Sequence, residues 1–157
     1  MRDHRFQALA AAPKIVERLL RVFPRDRYDE RPYQESLTCR EIFALLSDTE
    51  EIILDRIRTA NRKPGSTVPW YDPTERARDR HYNEKDPFHE AEVYESRRTL
   101  TLECLEPLTS DDYKKTITLD GHGTVSIDEY IVMTMAHDLE RISELSEFLA
   151  NEVATIS

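Results

Sequence analysis

One stripe of the sequence carries side chains that could do chemistry together. Tyr130, Thr134, His137 and Arg141 recur at spacings of four, three and four. On a helix that is a single face. Helical bundles build ligand and cofactor sites from side chains on such inward faces. An imidazole there can give or take a proton near neutral pH. A guanidinium can hold a carboxylate through two parallel hydrogen bonds. The stripe reads as a small-ligand pocket, or as a hydrogen-bonded network that stabilises a bundle, because structural networks also hold polar groups at such positions.

The other chemistry-bearing residues give weaker patterns. His81 and His89 are eight residues apart and could join Glu90 or Glu92 in a surface metal site. The spacing matches no common ligand pattern, and Pro87 lies between them, so two solvated histidines are the favoured reading. His122 sits between two glycines and reads as a loop tip. The acidic pairs Glu50-Glu51 and Asp111-Asp112 raise a carboxylate-bridged two-metal site. That chemistry in a bundle uses Glu-x-x-His on two helices, and the chain contains no Glu-x-x-His. Cys39 falls in the first turn of a helix, where the dipole favours thiolate. A small buried residue is the preferred reading. Cys39 and Cys104 form no CxxC pair, which argues against a disulfide framework and a zinc knuckle and fits free thiols in a reducing cytoplasm.

Composition limits the function classes. The chain has 157 residues, the length of one domain, here taken as 1–157. Lys and Arg number 22 against 31 Asp and Glu, a net charge of −9. Repulsion from phosphate makes nucleic acid and anionic membranes poor partners. With only 3 glycines, Gly-rich phosphate loops are excluded. No stretch approaches the roughly 20 apolar residues of a membrane span. The first residues carry charges of both signs and do not read as a signal peptide.

Four helices must position the stripe. The first spans about 3–22, with Phe6, Leu9, Val16, Leu19 and Leu20 on its apolar face. Pro13 either kinks it or restarts it, and Pro24 ends it. The second opens on a capping box, Thr38-Cys39-Arg40-Glu41, and carries Ile42, Leu45, Leu46, Thr49, Ile53, Arg56 and Ile57 at helical spacing to about residue 60. A long connection, 61–85, follows. Such connections are uncommon in compact domains unless functional or packed; its Trp70-Tyr71 pair predicts packing on the body, and 74–81 could form one or two helical turns. The third helix takes Asp86 as N-cap and Pro87 at its first position, and stops at Pro107. A short extended or hairpin-like piece covers 116–125, turning at 120–123. A second capping box, Ser126-Ile127-Asp128-Glu129, starts the fourth helix.

Three stretches together resemble the DinB/YfiT-like superfamily of four-helix bundles: LTCREIFALLSDTE at 37–50, the segment 71–109 with Arg97-Arg98 and its Leu-Glu-Pro-Leu-Thr ending, and GTVSIDEYIVMTMAHDLERISELSEF at 123–148. The resemblance implies an all-α, up-down-down-up four-helix bundle, with a long connection after the second helix and a short extended segment before the fourth. It implies a homodimer. In many members it implies a divalent metal such as zinc or nickel, held on three histidines. Relatives include transferases and isomerases that use low-molecular-weight thiols such as bacillithiol or mycothiol. Carried onto this chain, the three ligand positions fall on Leu45, His137 and Arg141. Leucine ligates nothing, and a guanidinium is a permanent cation. The expectation is therefore no cofactor and no ordinary metal site. In its place stands a vestigial pocket of Leu45, Thr49, Tyr130, Thr134, His137 and Arg141 that binds a small molecule or partner. The alternative is a thiol-dependent enzyme with a non-standard metal or none, one that recruits His81, His89 or Glu side chains. A pure interaction module acting through Trp70-Tyr71 is a third reading.

Overall fold

The computed structural model describes the backbone of residues 3–156 and the side chains of residues 3–151. Five α-helices account for most of it: α1 His4–Val22, α2 Cys39–Arg62, the short α3 Pro73–Asp79, α4 Pro87–Leu105 and α5 Ile127–Ile156. A three-stranded sheet is built from β1 Ser66–Val68, β2 Thr116–Leu119 and β3 Gly123–Ser126. Among the described residues no helix is long and apolar enough to cross a membrane.

Local chemistry starts each long helix. The Asp3 carboxylate accepts from the Arg5 and Phe6 amides and caps α1. Both expected capping boxes form. The Glu41 amide donates to Thr38 Oγ1 at 3.1 Å, and the Thr38 amide donates to Glu41 Oε1 at 3.0 Å. Ser126 and Glu129 repeat the exchange at 3.1 Å in both directions. Asp86 caps α4 through the Phe88 amide, with Pro87 at the first position. Each such cap is worth about 1 kcal/mol.

Pro13 does not restart α1; the helix runs unbroken through it, and the ring is buried. A proline inside a helix leaves the carbonyl four residues earlier without its amide partner. That carbonyl belongs to Leu9. It accepts instead from Nη1 of Arg98 on α4, at 2.7 Å.

Contacts between named residues give the helix directions. Ser47 lies by Arg97, and Glu50 by Arg98 and Thr101, so α2 and α4 are parallel. Arg5 reaches Asp128, while Leu20 shares a cluster with Leu145 and Phe148, so α1 and α5 are parallel. Leu9 packs with Leu105, and Val16 and Leu20 with Ala91 and Tyr94, so α1 runs against α4. The bundle is up-down-down-up, as the resemblance implied.

The core has two apolar ends and a polar waist. Leu9, Ile53, Ile57, Leu105, Ile117 and Ile131 belong to one end. Val16, Leu20, Phe43, Leu46, Tyr94 and Phe148 belong to the other. Between them sits Arg98, only 1% exposed. Its Nε and Nη2 bond both oxygens of Glu50 at 2.8 Å. Its Nη1 and Nη2 bond Asp138 at 2.8 and 2.9 Å. With Leu9 O, five N–H groups meet five acceptors, drawn from α1, α2 and α5. Tyr94 Oη donates to Asp138 and Thr101 Oγ1 to Glu50, each at 2.8 Å. Buried charges persist only when paired in this way.

The sheet lies at the end that holds Leu9, Ile53 and Ile131. The expected hairpin forms: Thr116 faces Ser126 and Leu119 faces Gly123, antiparallel. Gly121 and Gly123 take positive φ at its turn, where a side chain would be strained. Beyond the expectation, β1 pairs in parallel with β2, Ser66 to Ile117 and Val68 to Leu119. Three residues between Gly65 and Pro69 are too few to show a strand period.

Candidate functional site

α2 and α5 run antiparallel and oppose two matching faces. Thr49, Ile53 and Arg56 stand at i, i+4 and i+7 on α2; Tyr130, Thr134 and His137 stand at i, i+4 and i+7 on α5. These residues, with Met133, Trp70 and Tyr71, line a cavity of about 130 Å³. That is close to the size of a protein cavity known to admit benzene. The connection after β1 supplies the roof. Trp70 stacks on Tyr71 with centroids 6.1 Å apart and on His122 at 3.7 Å. Packing of the Trp70-Tyr71 connection onto the body is thus realised, and its last part forms α3, capped by Asp72.

Arg56 forms one wall and is 5% exposed. Its Nη1 donates to Tyr130 Oη at 3.2 Å and its Nη2 to the Pro69 carbonyl at 2.5 Å. The guanidinium carbon lies 5.4 Å from the Tyr71 ring centre and 5.9 Å from that of Tyr130. Thr49 is 3% exposed, and its Oγ1 is buried without a hydrogen-bond partner. Thr134 Oγ1 donates to the Tyr130 carbonyl at 2.9 Å. Burial, reinforced by Arg141, lowers the pKa of His137, so the imidazole is neutral at neutral pH. Burial raises the Tyr130 phenol, with Arg56 opposing. The cavity therefore offers neutral donors and acceptors, an apolar side of Ile53 and Met133, and one buried cation.

Four of the six expected pocket residues, Thr49, Tyr130, Thr134 and His137, line this cavity. Leu45 does not. It is fully buried one turn away, against Ala44, Ala77, Tyr82 and Leu37. Arg141 also points elsewhere: its Nη2 pairs with Glu140 at 2.8 Å and Glu144 at 3.1 Å. The residues missed at the sequence level are Ile53, Arg56, Met133, Trp70 and Tyr71. Arg56 left a signal, the one charged residue on an α2 face whose other members are aliphatic apart from Thr49.

The other candidates separate. His81 and His89 are exposed, and His81 takes a left-handed backbone, φ 54°. His122 is in the β2–β3 turn, under Trp70. Glu50 is absorbed by Arg98, and Asp112 by Lys115 at 2.8 Å. Cys39 is fully buried, and burial pushes its thiol up to about 12 despite its place in the first turn of α2. Among the described residues no three His, Cys, Asp or Glu side chains are placed to hold a metal ion.

An open groove of about 630 Å³ adjoins the cavity and shares Arg56, Trp70 and Tyr71 with it. Arg58, Arg76 and Arg80 also line it, as do Glu51 and Asp55. Arg76 and Arg80 both reach Asp48, at 2.5 and 3.2 Å.

A parallel-antiparallel bundle closed by a small sheet, with its cavity between the second and last long helices, defines a recognisable class of helical protein. The chain matches the DinB superfamily over residues 8–145 and belongs to it. Among solved structures it is similar to YfiT from Bacillus subtilis, described as a probable metal-dependent hydrolase with an unusual four-helix bundle topology. The TM-score is 0.91 at 15% identity, covering 96% of this chain and 86% of that one. It is also similar to the mycothiol-dependent maleylpyruvate isomerase, with a TM-score of 0.72 at 14% identity. That match covers 90% of this chain and 59% of the isomerase. No curated protein shows significant sequence similarity to the chain.

Proposed function

We propose that this chain binds a small molecule in the cavity beside His137, without the divalent metal that YfiT is described as depending on. The observation that carries the reading is the Thr49 hydroxyl. It is buried, unpartnered and in the cavity wall. A buried polar atom left unpaired costs about 1–3 kcal/mol, a cost a ligand or bound water would relieve. The donor set argues against a metal there. One imidazole, four hydroxyl-bearing side chains and a buried guanidinium do not make a zinc or nickel site.

Two measurements test this. Ligand-observed NMR with small uncharged fragments should give binders that are lost in Thr49→Ile, which fills the cavity. Binders that persist equally in both proteins would sink the reading. Metal analysis of protein purified without an affinity tag should find zinc and nickel well below one per chain; a stoichiometric metal lost in His137→Ala would overturn the metal-free part.

A thiol-dependent transferase or isomerase is the second reading. The likeness to the mycothiol-dependent isomerase favours it, and so does a specific feature of this chain. Cys39 is buried away from the cavity, so any thiol chemistry must draw on a small thiol from solution. Cavity-dependent consumption of an added thiol in the presence of an electrophile would support it.

Two copies of the chain are proposed to pair across α5. Val132 and Leu139, at i and i+7 on one face, are 54% and 65% exposed there, large apolar side chains facing solvent. Sedimentation should show a dimer that Leu139→Glu dissociates; a monomer in the wild type refutes the pairing.

A further inference from the structure

We propose that the ligand is a small organic acid: its carboxylate pairs with Arg56, and an apolar part about the size of one ring fills the cavity next to Ile53 and Met133. This rests on the cavity being a binding site and adds the charge and shape of what it takes.

Arg56 is the reason. It is a permanent cation, only 5% exposed. Its bonds go to a phenol and a carbonyl, both neutral. Among the described residues no carboxylate pairs with it. The contrast with Arg98 is internal to the same core. Arg98, also buried at 1% exposed, is matched by two carboxylates. Arg76 and Arg80 share one, Asp48. A buried cation without a counter-ion is unfavourable by several kcal/mol, and Arg56 borders the cavity on one side and the groove on the other. Two tyrosine rings near its guanidinium offset part of that cost but leave its charge unneutralised.

The surroundings point the same way. Four guanidiniums line the groove with the carboxylates of Glu51 and Asp55, and Asp48 holds Arg76 and Arg80, which leaves one positive charge in excess on a chain whose net charge is −9. That excess is opposite in sign to the chain as a whole and lies where Arg56 meets the groove. The planar fork of an arginine matches a carboxylate through two parallel bonds. Thr49 Oγ1, lacking a partner, supplies one more contact to a polar atom of the same ligand. The neutral imidazole of His137 adds no second cation, so Arg56 is the charge in the cavity wall that distinguishes an acid from a neutral ligand.

Benzoate and benzamide, nearly identical in shape and different in charge, test this by calorimetry or NMR titration. Benzoate should bind the wild type about tenfold or more tightly than benzamide, the margin expected of a charge-assisted pair. Arg56→Gln should bring benzoate down to the benzamide level, while benzamide is little changed. Equal binding of the two compounds to the wild type would overturn the acid and leave the cavity standing. Failure of both would remove the cavity reading as well. If Arg56→Gln does not fold, the wild-type comparison decides alone, repeated at high salt, where the benzoate advantage should persist because the pair is buried.

Discussion

Nη1 of Arg98 lies 2.7 Å from the carbonyl oxygen of Leu9, the acceptor that Pro13 has no amide to fill. A helix-breaking residue in α1 and a buried cation in α4 thus complete one another. The same guanidinium takes Glu50 from α2 and Asp138 from α5, so one side chain fixes the relative height of four helices. Asp138 follows His137 directly in the chain. Its grip on Arg98 sets the rotation of α5 that turns His137 and Thr134 into the cavity.

Arg98→Lys should therefore destabilise the protein although it keeps the charge. An ammonium has three donors in place of five and no planar fork. The loss should be about 3 kcal/mol, and Arg98→Met should lose about 3–5 kcal/mol by leaving two carboxylates buried together. Urea unfolding checks both; a change below about 1 kcal/mol in Arg98→Lys would mean the pairing is not the tie described.

Thr49→Val should leave stability unchanged or raise it by about 1 kcal/mol, because it deletes a buried hydroxyl that bonds nothing. An ordinary buried threonine would lose stability on the same change. Thermal unfolding of the two proteins without added ligand distinguishes these cases.

Stability should fall as the solution is acidified through the histidine range. The folded protein holds His137 below its ordinary value of 6.5. Just under that pH the unfolded chain binds a proton that the folded one refuses, so unfolding is favoured as pH drops. The contribution is complete above 6.5 and is lost progressively towards the lower folded value. In His137→Gln this component should vanish. The stability difference between wild type and variant, measured from about pH 8 to about pH 5, should shift against the wild type; a flat difference would contradict the burial of the imidazole.

Cys39 should not react with Ellman's reagent in the folded protein. It is fully buried, with its thiol raised to about 12, and the thiolate is the reactive form. Cys104 is only partly buried. The native protein should therefore titrate at most one thiol, and the unfolded protein both. Rapid modification of Cys39 before unfolding would count against the packing at the start of α2.

The helices were legible because their start signals are local. Thr38 with Glu41, Ser126 with Glu129, and Asp86 with Pro87 each act within four residues. Pro13 was ambiguous for the opposite reason. Its tolerance depends on Arg98, 85 positions away in the sequence. The cavity was legible on α5, where a single helix face carries Tyr130, Thr134 and His137. Arg141 continues that stripe in sequence but is drawn off by Glu140 and Glu144 on its own helix. Trp70 and Tyr71 were visible as residues that pack, without any indication of what they pack on. That follows from the parallel pairing of β1 with β2, a contact about 50 residues long in sequence with no local signature.

Glu50, Arg98 and Asp138 also constrain how this chain can change. A lineage that replaced Arg98 alone would strand two like charges in its interior, and one that replaced either carboxylate alone would strand part of a cation. The three positions form a single mutational unit, with the proline at 13 as its fourth member. Drift should therefore either leave all of them in place or exchange them together.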